Sequence, residues 1–142
     1  MHHSIEVQAN DAGLIQLLRF VDAAERELAL QPEQEYLLRL AIEEIATNLI
    51  KYGYRAGEPG PVRVSCRAEG GALLVEICDR STPFDPRFAP PPDLASDLAH
   101  RRVGGLGLFL VRELADELSY RHDAATGWNA LTIIKRAEHH RV

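Results

Sequence analysis

The apolar residues change their spacing midway along the chain, and that change limits the folds open to it. Between residues 12 and 52 they recur every three or four positions, and between residues 62 and 78 at every second position. A helical period cannot sit as a strand, nor an alternating one as a helix, so one core must be built from both. Leu14, Leu17, Leu18, Val21 and Ala24 predict an amphipathic helix over 12–29, entered through the cap-type residues Asn10 and Asp11. Gln31-Pro32-Glu33 is a break and a restart, with proline in the first turn of the next helix. Leu38, Ala41, Ile42, Ile45, Leu49 and Tyr52 share one stripe of a helix over 33–52. Val62, Val64, Cys66 and Ala68 then alternate with Arg63, Ser65 and Arg67, a half-buried strand. Leu73 to Cys78 answer them across Gly70-Gly71, a two-residue hairpin signal.

The remaining segments complete the pattern. Ile5 and Val7 predict a short strand at a sheet edge. Residues 80–103 hold five of the eight prolines and show no period. A loop that long within one domain is usually functional, such as a lid, or else disordered. Gly104-Gly105-Leu106-Gly107 opens a helical run through Leu108, Val111, Leu114, Ala115 and Leu118, and residues 118–123 and 129–135 close as a hairpin around Thr126-Gly127. The order β-α-α-β-β-lid-α-β-β predicts an α+β, two-layer sandwich, a mostly antiparallel mixed sheet covered on one face by three helices. The 142 residues suit one domain over 1–142 with a lid at about 80–103.

Charge and cysteine usage narrow the function. A net charge of −5 argues against binding an extended nucleic acid, which needs a basic field. No apolar run reaches 18 residues and no signal-peptide pattern stands at the N-terminus, so neither a membrane span nor secretion is expected. The hairpin register sets Cys66 near Val75 and Cys78 near Arg63, with the thiols on opposite faces and unable to bridge. Two free thiols suggest a reducing compartment, hence the cytoplasm.

Three short constellations could carry chemistry. Glu44 and Asn48 are i and i+4 on the second helix, about 40° apart on its wheel, and border the apolar stripe. Together they offer hard oxygens suited to Mg²⁺, or one base and one ligand. Taken alone, such a pair reads first as a solvated flank. Asp79 ends its strand on the face of Val62, Val64, Val75 and Ile77, where a carboxylate needs a partner such as an exocyclic amine. Alone, it also reads as a cap for the turn that follows. The glycines of 104–107 let a backbone approach an anion at a helix N-terminus, and Arg101 and Arg102 add positive charge just before them.

In order and separation these elements resemble the histidine-kinase-like ATPases of the Bergerat fold. Glu44-(x3)-Asn48-(x2)-Lys51-Tyr52 looks like their N-box, and Asp79-Arg80-Ser81-Thr82-Pro83-Phe84-Asp85-Pro86 like their adenine-binding box. Gly104-Gly105-Leu106-Gly107-Leu108 looks like the glycine box that ends the ATP lid, and Asn129-Ala130-Leu131-Thr132 like the last-strand segment. Size and the two leading helices resemble the anti-sigma-factor serine/threonine kinases. The resemblance implies ATP and Mg²⁺ as cofactors. It implies Glu44 as general base, Asn48 as the Mg²⁺ ligand, and Asp79 on the adenine amine with Thr132 nearby. Lys51, Tyr52, Ser81, Phe84, Arg102, Gly104, Gly105, Leu106, Gly107 and Leu108 would complete the nucleotide site.

As partners the resemblance implies a small anti-sigma-factor antagonist, phosphorylated on serine or threonine, a sigma factor, and a second copy of the chain. The alternative is a nucleotide-binding module that sequesters a partner without phosphoryl transfer. A sensor histidine kinase domain fits less well, because no dimerising helix pair carries a phospho-acceptor histidine. One position departs from the pattern: Ser81 stands where the adenine box usually has glycine. The hydroxymethyl group predicts a lowered nucleotide affinity or a reshaped rim, since serine disfavours positive φ.

Overall fold

The computed structural model describes residues 2–55, 57–83 and 105–138. Five strands and three α-helices follow in the order β1 (His2–Gln8), α1 (Asp11–Leu28), α2 (Pro32–Asn48), β2 (Pro61–Glu69), β3 (Ala72–Asp79), α3 (Gly105–Leu114), β4 (Glu117–His122) and β5 (Asn129–Arg136). The strands form one sheet in the order β1-β2-β3-β5-β4. Every pairing among them is antiparallel. The α+β sandwich expected from the two periods is therefore present, and β1 lies at an edge as predicted. β5 inserts between β3 and β4, so those two strands run parallel to each other without touching.

Local chemistry explains the boundaries. The Asn10 side chain accepts a hydrogen bond from the Gly13 N–H and caps α1. Pro32 opens α2, whose entry is closed by a reciprocal pair between Gln31 and Gln34. The β2–β3 turn places Gly70 and Gly71 at φ of 58° and 83°, the left-handed values a tight two-residue hairpin requires. Val62 pairs with Asp79, Val64 with Ile77 and Cys66 with Val75, the register expected.

The helices cover one face of the sheet. Leu17, Val21, Leu38, Ala41, Ile42, Val64, Val75, Ile77 and Ile133 form the dry core between the layers. Burial of this kind contributes about 25 cal/mol for each Å² of apolar surface removed from water. Cys66 faces that core and Cys78 the other side of the sheet; both are buried free thiols. Burial pushes the Cys66 thiol up to about 11. Burial and the neighbouring Glu76 carboxylate push Cys78 up to about 12. Among the described residues no helix is long and apolar enough to cross a membrane.

One boundary departs from the period. The α-helix ends at Asn48, and Leu49–Gly53 continues as a single π-turn. A wider turn advances fewer degrees per residue, so the α-helical stripe no longer holds beyond Asn48. Tyr52 is accordingly 68% exposed, whereas the sequence placed it on the buried stripe. Tyr54 packs against the core in its stead.

Candidate functional site

The end of α2 brings the three constellations together. Glu44 and Asn48 lie in its last turns, both half-buried at the border of the core stripe. Burial holds the Glu44 carboxyl above its ordinary value, Glu43 pushes it the same way, and the Lys51 ammonium opposes both. A proton acceptor with a raised pKa is better matched to neutral pH than an ordinary carboxylate. Gly107, in the first turn of α3, packs on this residue. A β-carbon built at Gly107 would overlap the Glu44 side chain. The glycine box and the N-box are thus in direct contact, and the missing side chain is what permits it. Leu108 and Val111 of α3 are buried behind this contact, while Leu106 is 42% exposed.

The π-turn after Asn48 brings Gly53 against Ser81, just beyond the end of β3. A β-carbon on Gly53 would lie 3.2 Å from the Ser81 β-carbon. The Tyr54 hydroxyl accepts from the Arg80 N–H at 2.7 Å and donates to the Pro61 carbonyl at 2.7 Å. One phenol therefore ties the end of α2 to the start of β2 and the end of β3. Burial, first among several causes, raises its pKa. Lys51 and Tyr52 are exposed on the same turn.

Asp79 sits half-buried at the end of β3 on the helix-covered face. Its Oδ1 accepts from the Ser81 N–H at 2.9 Å, from Ser81 Oγ at 2.6 Å and from Asn129 Nδ2 at 2.9 Å. Oδ2 takes none of these three bonds. Ser81 is not strained: Ala29 is the one non-glycine residue with positive φ among those described. The hydroxymethyl group predicted to disturb the backbone instead hydrogen-bonds the carboxylate it follows.

The last-strand assignment needs correction. Thr132 pairs with Glu76 and Ser119, one position out of phase with the Asp79–Asn129 pair, and so points to the uncovered face of the sheet. There it lines a shallow pocket with His2, Ser65, Arg67 and Glu76. Side chains alternate along a strand, so only odd-numbered positions of β5 share the face of Asp79. Asn129, 3% exposed, is the β5 residue that touches Asp79. Sequence reasoning passed over Asn129 and Tyr54. Asn129 carried no signal in the sequence, since no local pattern gives the β3–β5 register that sets it against Asp79. Phe84, Arg101, Arg102 and Gly104, with most of the expected lid, lie outside the described residues.

The donor set suits a nucleotide carrying its own cation. Among the described residues no cluster of three or more histidine, cysteine, aspartate or glutamate side chains forms a metal cage. Mg²⁺ held by phosphates needs only one or two protein oxygens, which Asn48 and Glu44 can offer. Asp79 Oδ2 offers an acceptor to a base amine, and the Gly107 backbone borders Glu44 with no side chain between.

Known proteins share this architecture. The chain spans 96% of its length on the structure of the RsbU and RsbW domains of Rv1364c from Mycobacterium tuberculosis, with a TM-score of 0.66, 17% identity and 32% of that chain covered. It is 31% identical over 98 residues to the serine/threonine-protein kinase BtrW of Bordetella bronchiseptica, covering 69% of this chain and 68% of that one. It is 32% identical over 90 residues to the serine-protein kinase RsbW of Listeria monocytogenes, covering 61% of this chain and 57% of the relative. The chain thus spans little more than half of that second relative. The histidine kinase-like ATPase domain profile matches residues 7–135, and with that match over nearly the whole length the chain belongs to this family.

Proposed function

We propose that the chain is an ATP-dependent serine/threonine protein kinase of the anti-sigma-factor type. It phosphorylates a small antagonist protein and exchanges that partner for a sigma factor, in the cytoplasm. The observation that carries this reading is the contact of Glu44 with Gly107, which joins a proton acceptor to the glycine box. Kinship with proteins named serine kinases supports the same reaction class.

Bound Mg-ATP supplies the γ-phosphoryl group and the cation that offsets its charge. The residues of the chain position and deprotonate. Asp79 Oδ2 accepts from the adenine amine and sets the base at the end of β3. Asn48 would hold the cation through its side-chain oxygen, one helical turn from Glu44. A Glu44 carboxylate oxygen takes the proton from the attacking serine or threonine hydroxyl of the partner. Lys51, on the π-turn that follows α2, adds positive charge beside Glu44 and Asn48. Little covalent work falls to the protein in such a transfer, so placement and charge neutralisation account for most of the rate.

Incubation with labelled ATP, Mg²⁺ and the antagonist encoded nearest to this protein tests the reading. Transfer is expected with the native chain and a loss of about a hundredfold or more with Glu44→Ala. Transfer that survives Glu44→Ala would sink the base assignment. The second reading, a nucleotide-binding regulator without transfer, draws support from Ser81, whose hydroxyl already engages Asp79. ATP binding without any transfer would favour it. Asn48→Ala should weaken Mg-ATP binding and leave magnesium-free binding nearly unchanged.

A further inference from the structure

Asn129 opens the last-strand segment, is buried and polar, and receives no role from the resemblance. It opens β5 directly across from Asp79. Its Nδ2 donates to Asp79 Oδ1 at 2.9 Å and to the Ser81 carbonyl at 3.0 Å. Its Oδ1 accepts from the Tyr120 hydroxyl at 2.9 Å and meets His122 Nδ1 at 2.7 Å. The orientation follows from chemistry. A carboxylate and a carbonyl only accept, so the NH₂ must face them. The oxygen then faces β4, and His122 must present Nδ1–H to it.

The amide is therefore a relay with no slack. Two side chains of β4 fix its oxygen, and its nitrogen fixes a carboxylate and the backbone of Ser81. With Ser81 adding two more bonds to the same oxygen, Asp79 Oδ1 is held by three donors. Rotation of the carboxylate would break all three and strip one of the two acceptors from the NH₂ of a 3%-exposed amide. Thus Oδ2 is presented in one direction only.

We propose that Asn129 is the positioning residue for base recognition, holding the Asp79 carboxylate so that Oδ2 meets the exocyclic amine of an adenine nucleotide, with Tyr120 and His122 holding Asn129 in turn. This rests on the reading that Asp79 receives that amine. The selectivity of the site for an amino-purine then depends on three residues of the β4–β5 hairpin to which the motifs assign no role.

Titration calorimetry with ATP and with inosine triphosphate, which has the same phosphates and no amine, separates the possibilities. The native chain is expected to prefer ATP by about tenfold, the usual scale for one hydrogen bond to a charged group. Asp79→Ala should abolish the preference. Asn129→Ala should remove most of it while leaving inosine triphosphate affinity within about twofold, which a general loss of structure would not do. Tyr120→Phe removes one hydroxyl and nothing else, and should lower the preference by a smaller factor in the same direction. An unaltered preference in Asn129→Ala, with Asp79→Ala impaired, overturns the proposal and spares the adenine reading. A preference that survives Asp79→Ala, or is absent from the native chain, overturns both. Should Asn129→Ala fail to fold, an unaltered preference in Tyr120→Phe overturns the proposal.

Discussion

Gly107 leaves room for Glu44 and for nothing else: a methyl group on the glycine would occupy the space of the carboxylate. Two motifs some sixty residues apart are thus a single packing unit.

Gly107→Ala should therefore displace either Glu44 or the first turn of α3. Phosphoryl transfer is expected to fall by at least about tenfold with cooperative unfolding retained, because small misplacements are costly in such reactions. The two positions should also couple. In a Glu44→Ala background the same substitution no longer meets the Glu44 carboxylate, so the stability losses should fall short of additive by roughly 1 kcal/mol. Additive losses in thermal or urea denaturation would refute the contact.

The raised pKa of Glu44 makes a signed prediction for pH. The folded chain holds this proton more tightly than the unfolded one, whose value lies near the ordinary 4.5. Ionisation therefore opposes folding, and the cost grows as pH rises from that value through the folded one, then stays constant. Glu44→Gln should raise the melting temperature at pH 7, and the gain should shrink toward nothing below pH 4. A gain that is largest in acid would contradict the assignment. The acid limb of the phosphotransfer profile should likewise be shifted upward from the ordinary carboxylate value.

Gln34 is a second buried amide, 3% exposed, and its work is structural. Its Nε2 donates to the carbonyls of Gly71 and Lys135 at 2.9 and 3.0 Å, pinning the start of α2 to the far end of the sheet. Gln34→Leu fills the space and removes both bonds. A loss of about 1–3 kcal/mol is expected in urea titrations, with nucleotide selectivity unchanged.

The thiols should be inert. With Cys66 near 11 and Cys78 near 12, roughly one thiol in a thousand and one in ten thousand is ionised at pH 8. Alkylation of the folded chain at that pH should be far slower than in denaturant. Rapid modification of either residue would show that it is more open than the structure places it.

Much of this was legible in the sequence, and the exceptions have physical reasons. Strand register followed from Gly70-Gly71 because a two-residue turn leaves one pairing, and with it came the face of Asp79. Helix α2 followed from its stripe up to Asn48. The π-turn did not, since hydrophobic period carries no sign of a change in turn width, and so Tyr52 and Tyr54 exchanged roles. Thr132 failed for want of phase. A motif gives the order of residues, but β5 begins at Asn129, and counting from there turns threonine away from the carboxylate. The relay through Asn129 joins β4, β5 and the residues after β3, which no local pattern brings together.

The place of β5 has a consequence for synthesis. The strand made last among those described is the one at the middle of the sheet's far half, flanked on both sides by strands made earlier. While the chain emerges, β1, β2 and β3 can zip as a meander under α1 and α2, but β3 has one open edge and β4 has no neighbour at all until residue 129 is out. Such non-local pairing is slow and leaves an exposed edge in the meantime. The carboxylate of Asp79 is meanwhile without its amide. A nascent chain therefore lacks both the β5 share of its core, Leu131 and Ile133, and the Asp79–Asn129 bond until the same strand is made.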